Sequence, residues 1–185
     1  MSDKREQLIQ TALMLFYQHG IRAIGINEVL KQSGIAKKTL YHHFSSKDEL
    51  VLAALQYRDT IFLDWLRHEV THLRPGIEAL QGLFHALDRW FHDDVPALQP
   101  FRGCFFINTA VEYRDDNPTL AAYCQAHKAK VRSIVRHCLT DEQARQTDLL
   151  DTVCLLKEGA IVTAQVNGDM NAARPILTML PRLLG

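Results

Sequence analysis

Apolar residues recur along this chain at intervals of three and four, the period of a helix, and strand signals are absent. Leu8, Ile9, Ala12, Leu13, Leu15 and Phe16 predict a first helix over 3–19, with acids early and Gly20 closing it. A short segment, Ile26 to Ser33, ends in Gly34, which suits the positive φ of a tight helix-to-helix turn. Ile35 can drop into the core there, and another short helix starts at about Lys37. At about 100° per residue, Leu40 and Phe44 share an inward face, and Lys38, Thr39 and His42 cluster opposite, with Tyr41 at the boundary. A helix of about two turns cannot persist alone, so packing must hold it. What it offers solvent is cation, hydroxyl, imidazole and phenol, with no acid.

Ser46 caps the next helix and Glu49 completes a capping box. That helix runs over 47–73 through Leu50, Leu55, Phe62, Trp65 and Leu66, long enough to be a strut between two regions. Arg74-Pro75-Gly76 is the first break. A helix over 77–92 follows, then a loop over 93–100 and a short apolar helix over 103–113. Asp115-Asp116-Asn117-Pro118 stops one helix and starts another, with Asn117 as cap and Pro118 at the first helical position. The pattern predicts an amphipathic helix over 119–139, a helix capped by Asp141 and reaching Val166, a turn at Asn167-Gly168-Asp169, and a last helix to about Leu184 whose continuity Pro175 and Pro181 oppose. The expectation is an all-α protein of about nine helices.

Two short helices joined by a Gly turn, the second basic, read as a helix-turn-helix whose second helix enters a DNA major groove. Gly34, Ile35, Leu40, Tyr41, His43, Phe44, Ser46, Lys47, Asp48 and Leu50 stand at the spacing of a known signature, and the run closely resembles that of TetR-family transcriptional regulators. Two positions depart from it. Ala36 replaces the usual Ser or Thr cap of the recognition helix, a loss of about 1 kcal/mol. Gly25-Ile26 replaces a Thr at the start of the preceding helix. The resemblance implies a three-helix DNA-binding domain over 1–46 and an effector-binding and dimerisation domain over 47–185. It also implies a repressor bound as a homodimer to a palindromic operator on double-stranded DNA, and released by a small-molecule effector. Lys38, Thr39 and His42 are expected at base edges, and Lys37, Tyr41 and Lys47 at phosphates.

Charge adds little by its sum. Lys and Arg number 21, as do Asp and Glu, and residues 1–50 hold seven basic against five acidic, leaving 14 and 16 for the remainder. Placement of the cations therefore carries the argument. No apolar run approaches about 18 residues and the first six carry no signal-peptide core, so a cytoplasmic protein without a membrane partner is expected. Cys104, Cys124, Cys138 and Cys154 show no CxxC spacing and read as free thiols.

The effector domain is less legible. Phe62, Trp65, Leu66, Phe84, Trp90, Phe105 and Tyr123 are many large rings and apolar groups for an ordinary small core. Together they point to an apolar effector cavity, with Asn108, Glu112 or His127 as candidate polar contacts. Cys104 follows Arg102-Gly103, a position where some family members responsive to electrophiles or oxidants look similar, so a thiol-sensing repressor is an alternative. A helix-turn-helix regulator needing no ligand is another. The terminal helices carry Leu149, Val153, Leu156, Ala160, Thr163, Ile176, Leu177 and Leu180, an apolar hairpin that needs a partner. The resemblance implies that it meets its counterpart across a twofold axis.

His68-Glu69-Val70-Thr71-His72 is an HExxH string on a helix, the spacing of a zinc peptidase. Zincins need a third ligand and a larger scaffold, and their motif usually follows an apolar residue where Arg67 stands here. No metal, cofactor or catalytic residue is expected.

Overall fold

The computed structural model describes residues 3–113 and 116–184, apart from the Thr147 side chain. Met1, Ser2 and the Asp115 of the expected helix stop lie outside the described residues. Among those described the fold is all-α: α1 Asp3–His19, α2 Ile26–Ser33, α3 Lys37–His43, α4 Lys47–Val70, α5 Ile77–Phe91, α6 Phe105–Tyr113, α7 Pro118–His137, α8 Thr147–Asn167 and α9 Arg174–Leu183. Single turns of 3-10 helix lie at Pro96–Leu98 and Gln143–Arg145. No helix among the described residues is long and apolar enough to cross a membrane.

Most boundaries follow the caps read from the sequence. Gly34 ends α2 with φ 67°, and its amide donates to the Leu30 carbonyl at 3.0 Å. The Asn117 carboxamide oxygen accepts from the amides of Thr119 and Leu120 at 3.1 and 3.2 Å, starting α7. Three boundaries differ by three residues or more. α4 stops at Val70 rather than residue 73, and the Leu73 amide reaches back only three residues, to Val70. The chain tightens there ahead of Pro75, which disfavours helical backbone before it. Asp141 does not cap α8. Instead the Thr140 hydroxyl accepts from the Gln143 amide and the Gln143 side chain accepts from the Thr140 amide, at 3.3 and 3.1 Å. This local turn absorbs residues 140–146 before the helix begins. Likewise the Asp169 carboxylate accepts from the Asn171 amide at 3.0 Å, delaying α9 to Arg174. Pro175 then occupies the first turn of α9, where its missing N–H is harmless, and Pro181 lies inside the helix.

The chain divides into two compact units, Met1–Thr60 with Cys104–Ala126, and Ile61–Gly103 with His127–Gly185. In the first, α1, α2 and α3 pack on one another around Leu8, Leu13, Phe16, Val29, Leu40, Phe44 and Leu50, all buried. Tyr17 meets Phe105 of α6 edge-on, ring centroids 6.1 Å apart. In the second, α5 packs against α8 and α9. Leu80, Leu83, Phe84 and Trp90 fill its interior. Gly103 is needed there by close approach, because a Cβ would lie within 2.0 Å of the Gln165 carboxamide carbon.

Candidate nucleic-acid interface and effector site

The α3 helix is presented rather than self-supporting. Leu40 and Phe44 are 0 % and 1 % exposed, fixing one side to the interior. The turn before it is tied down twice: the Gln7 carboxamide donates to the Ser33 carbonyl at 3.0 Å, and the Ser33 hydroxyl accepts from the Ile35 amide at 3.3 Å. Ala36 has extended N-cap geometry with no side-chain cap, as the substitution of Ala for Ser or Thr requires. On the other side Lys37, Lys38, Tyr41 and His42 are exposed, while Thr39 is half-buried. Lys37 lies over the Tyr41 ring, its ammonium 5.9 Å from the centroid. Neither Lys37 nor Lys38 has an acidic partner among the described residues. Two unpaired cations and a phenol on a short, anchored helix form a surface suited to a polyanion.

Lys47 sits differently. Its ammonium donates to the Ile21 carbonyl at 2.6 Å, and burial pulls its pKa down against the pull of Glu112 and Asp48. It stands at the first residue of α4, whose capping differs in detail from a standard box. Ser46 accepts from the Glu49 amide at 3.1 Å, while the Glu49 carboxylate turns to the amide and hydroxyl of Ser45, at 2.6 and 2.8 Å. Those two bonds hold the Glu49 carboxyl below the usual carboxylate range.

The expected effector residues fall in both units. In the second, Phe62 meets Trp65, Trp90 and His127 with centroids 5.2, 5.4 and 5.5 Å apart, and Phe101 closes on Trp90 at 5.0 Å. Leu66 and Phe84 are buried in the same unit. The indole N–H groups of Trp65 and Trp90 are buried and make no hydrogen bond among the described residues. In the first unit lie Cys104, Phe105, Asn108, Glu112 and Tyr123. The Tyr123 hydroxyl donates to Asp59 at 3.1 Å, and burial together with that carboxylate pushes its pKa up to about 12. Cys104 is buried within electrostatic range of the Arg58 guanidinium, which lies 4.8 Å above the Tyr17 ring. Both Glu112 carboxylate oxygens accept backbone amides, from Ile21 at 3.0 Å and Arg22 at 2.6 Å. Nothing in the local sequence around Glu112 signals that role.

Of the terminal apolar residues, Leu149, Val153, Ala160, Ile176 and Leu180 are buried in the chain's own interior. Leu156, Ala160, Thr163 and Ile176 line an apolar groove of about 390 Å³, together with Thr152, Leu155, Gly159 and Ala172. Beside it Leu155, Val162 and Val166 stand 72 %, 43 % and 74 % exposed along one face of α8; Val162 and Val166 belong to the apolar pattern of the hairpin, and Leu155 is the member that periodicity does not single out. Of the HExxH histidines, both exposed, His68 lies on α4 and His72 in the turn beyond its end at Val70, not on the helix as expected, with ring centroids 6.3 Å apart. No group of three or more His, Cys, Asp or Glu among the described residues could hold a metal ion.

Residues 8–54, which contain α2, α3 and the start of α4, match the family described as bacterial regulatory proteins, tetR family. The transcriptional regulator YxaF of Bacillus subtilis, itself uncharacterized, is 35 % identical over 185 residues, covering 98 % of this chain and 95 % of that protein. The transcriptional repressor KstR2 of Mycobacterium tuberculosis is 37 % identical over 90 residues, 46 % of this chain and 43 % of that repressor, so the match spans less than half of KstR2. Among solved structures, a TetR-family regulator from Streptomyces coelicolor superposes with a TM-score of 0.82 at 23 % identity, covering 99 % of this chain and 89 % of that one. The helix-turn-helix match and the near full-length likeness to YxaF together establish that the chain belongs to the TetR family of bacterial transcriptional regulators, DNA-binding proteins rather than enzymes.

Proposed function

We propose that the chain is a transcriptional repressor that binds a palindromic operator as a homodimer and leaves it when a small-molecule effector binds within residues 47–185. Residues 1–46 serve as the DNA-binding domain, and the protein works in the cytoplasm. Lys38, Thr39 and His42 read base edges, Lys37 and Tyr41 hold phosphates, and Lys47 adds its charge where α4 begins. One observation carries the reading: α3 is pinned through Leu40 and Phe44 while Lys37 and Lys38 stand exposed without a carboxylate partner among the described residues. A free protein gains nothing from such an arrangement, whereas DNA supplies the missing counter-charge. Selection of bound duplexes from a random pool tests it. Enrichment of a palindrome supports the reading, and the absence of any enriched sequence ends it. Repression is the action that the name of KstR2 carries, and its transfer to this chain is part of the proposal.

The homodimer reading is supported by the exposed row Leu155, Val162 and Val166 and the groove beside it, which a second copy of α8 and α9 would cover. The effector reading is supported by the cluster of Phe62, Trp65, Trp90 and His127, whose two buried indole N–H groups call for an acceptor. A planar molecule bearing a carbonyl or carboxylate answers both demands. Effector binding would favour a conformation whose recognition helices no longer match the half-site spacing. A thiol switch at Cys104 is the second reading, favoured by the nearness of the Arg58 charge. Alkylation that releases DNA from the wild type but not from Cys104→Ser would establish it. The zinc-peptidase alternative falls with membership of a family of regulators.

A further inference from the structure

The turn between α1 and α2 is held from two sides by side chains far away in sequence. Glu112, in the last turn of α6, accepts the Ile21 amide at 3.0 Å and the Arg22 amide at 2.6 Å, one on each carboxylate oxygen. The Arg22 guanidinium returns the contact, donating from Nε to the Glu112 carbonyl at 2.8 Å, and it pairs with Asp116 beyond. From the other side the Lys47 ammonium takes the Ile21 carbonyl at 2.6 Å. A few residues on, the Asn117 carboxamide donates to Asp48 at 2.9 Å, joining the start of α7 to the start of α4.

These contacts are unequal. The Arg22–Asp116 pair is more than half exposed on both partners and contributes little. A carboxylate receiving two backbone amides forms charge-assisted bonds with fixed direction, about twice as strong as neutral ones. Ile21 is itself only 1 % exposed, so its backbone cannot swing away without emptying a buried site. Five residues after Ile21 the chain enters α2, and α2 leads through Gly34 directly into α3. This turn is therefore one of the points from which the recognition helix is held, and the group that holds it is an anion on α6.

We propose that Glu112 is a positioning residue for DNA binding: its two amide bonds fix the α1–α2 turn, and through it the helix-turn-helix, to α6. This rests on the DNA-binding reading above. Glu112 touches no DNA in this account. It acts through Ile21 and Arg22, and it is not counted among the groups that hold an effector.

The test uses the full chain and a duplex that the wild type selects from a random pool. Amide hydrogen exchange at Ile21 and Arg22 is measured beside duplex affinity for Glu112→Ala and Glu112→Gln. Glu112→Ala is expected to exchange both amides about tenfold faster or more, and to bind the duplex about tenfold more weakly. Glu112→Gln, which keeps one acceptor oxygen and loses the charge, is expected to fall between. Leu83→Ala, in the interior of α5, is the stability control, expected to lower the melting temperature and leave both readouts alone. Unchanged exchange at the two amides overturns the proposal. So does a loss of affinity no greater than that of Leu83→Ala when the two variants lose equal thermal stability. If the wild type enriches no duplex, the functional reading fails by itself, and the exchange rates still decide whether Glu112 holds the turn.

Discussion

The outward faces of α3 and α8 are both open to solvent, and they are chemical opposites. On α3 the exposed groups are Lys37, Lys38, Tyr41 and His42; on α8 they are Leu155, Val162 and Val166. Water welcomes the first set, so exposure there has little cost, and the information lies in the missing carboxylates. Water penalises the second, at roughly 25 cal/mol for each Å² of apolar surface left uncovered. A charged face can wait for its partner indefinitely, whereas an apolar one is covered soon after folding. We therefore expect the α8 face to be occupied permanently by a second copy and the α3 face to be occupied reversibly by DNA.

The largest effect should come from making the two faces alike. Leu155→Glu with Val162→Glu would place like charges across the proposed twofold axis. Sedimentation should then show a monomer of unchanged helical content. Affinity for a selected palindrome should drop about a hundredfold or more, because two tethered recognition helices become one. A charged variant that still sediments as a dimer would show that the copies meet elsewhere.

Changes on α3 are smaller and should separate by type. Lys38→Ala is expected to lose about 1–3 kcal/mol of discrimination between the selected site and single-base variants of it. Lys37→Ala should weaken all duplexes nearly equally and reduce the slope of log affinity against log salt by about one. Equal effects of the two substitutions on matched and mismatched duplexes would erase the distinction between base-edge and phosphate contacts.

The sequence served these two faces unequally, for a physical reason. The short helices around Gly34 were readable because each boundary has its own local cause: a positive φ, an absent cap, an inward pair four residues apart. Periodicity failed on α8, where Leu149, Leu150, Val153, Leu156 and Ile161 on other sides blur the wheel, so Leu155 was overlooked. The start of the same helix was misjudged, because Thr140 and Gln143 satisfy one another before Asp141 can cap. Glu112 reads in the sequence only as an effector contact, and its hold on the α1–α2 turn is hidden for a different reason. Its partners lie about ninety residues away, and only folding brings a carboxylate to two amides that no nearby side chain satisfies. Among the effector residues the ring types were legible. That Trp65 and Trp90 keep buried donors without acceptors among the described residues was not.

The inner side of α8 offers a test of its charges. Glu158 accepts from Lys128 at 2.7 Å and pairs with the buried Lys157. Burial alone would raise the Glu158 pKa, but Lys157 and Lys128 outweigh it and hold it below the usual carboxylate value. Its contribution to stability is therefore complete above the unfolded carboxyl pKa and disappears as pH falls through the lower folded value. Glu158→Gln should cost on the order of 1.5 kcal/mol near neutral pH, with the gap to wild type closing below about pH 4 in urea titrations. A gap that stays constant through the acid range would mean that the carboxylate is no better placed in the folded protein than in the unfolded chain.

The smallest effect concerns the one weakness of α3, its bare first turn. Ala36 has φ −66° and ψ 144°, already the backbone of an N-cap, and its side chain is exposed, so a serine there needs no rearrangement. The new hydroxyl would accept the amide of Lys38 or Thr39, one of the donors that a helix start leaves unsatisfied. Ala36→Ser should add about 1 kcal/mol and, for a chain of this size, raise the melting temperature by about 2–4 °C. Duplex affinity should change by less than about twofold, because packing of Leu40 and Phe44 already fixes the helix before DNA arrives. A large gain in affinity would carry the opposite meaning, that the free recognition helix is frayed and orders only on the duplex. The permanence of α3 in the free protein, on which its contrast with α8 depends, would then be lost.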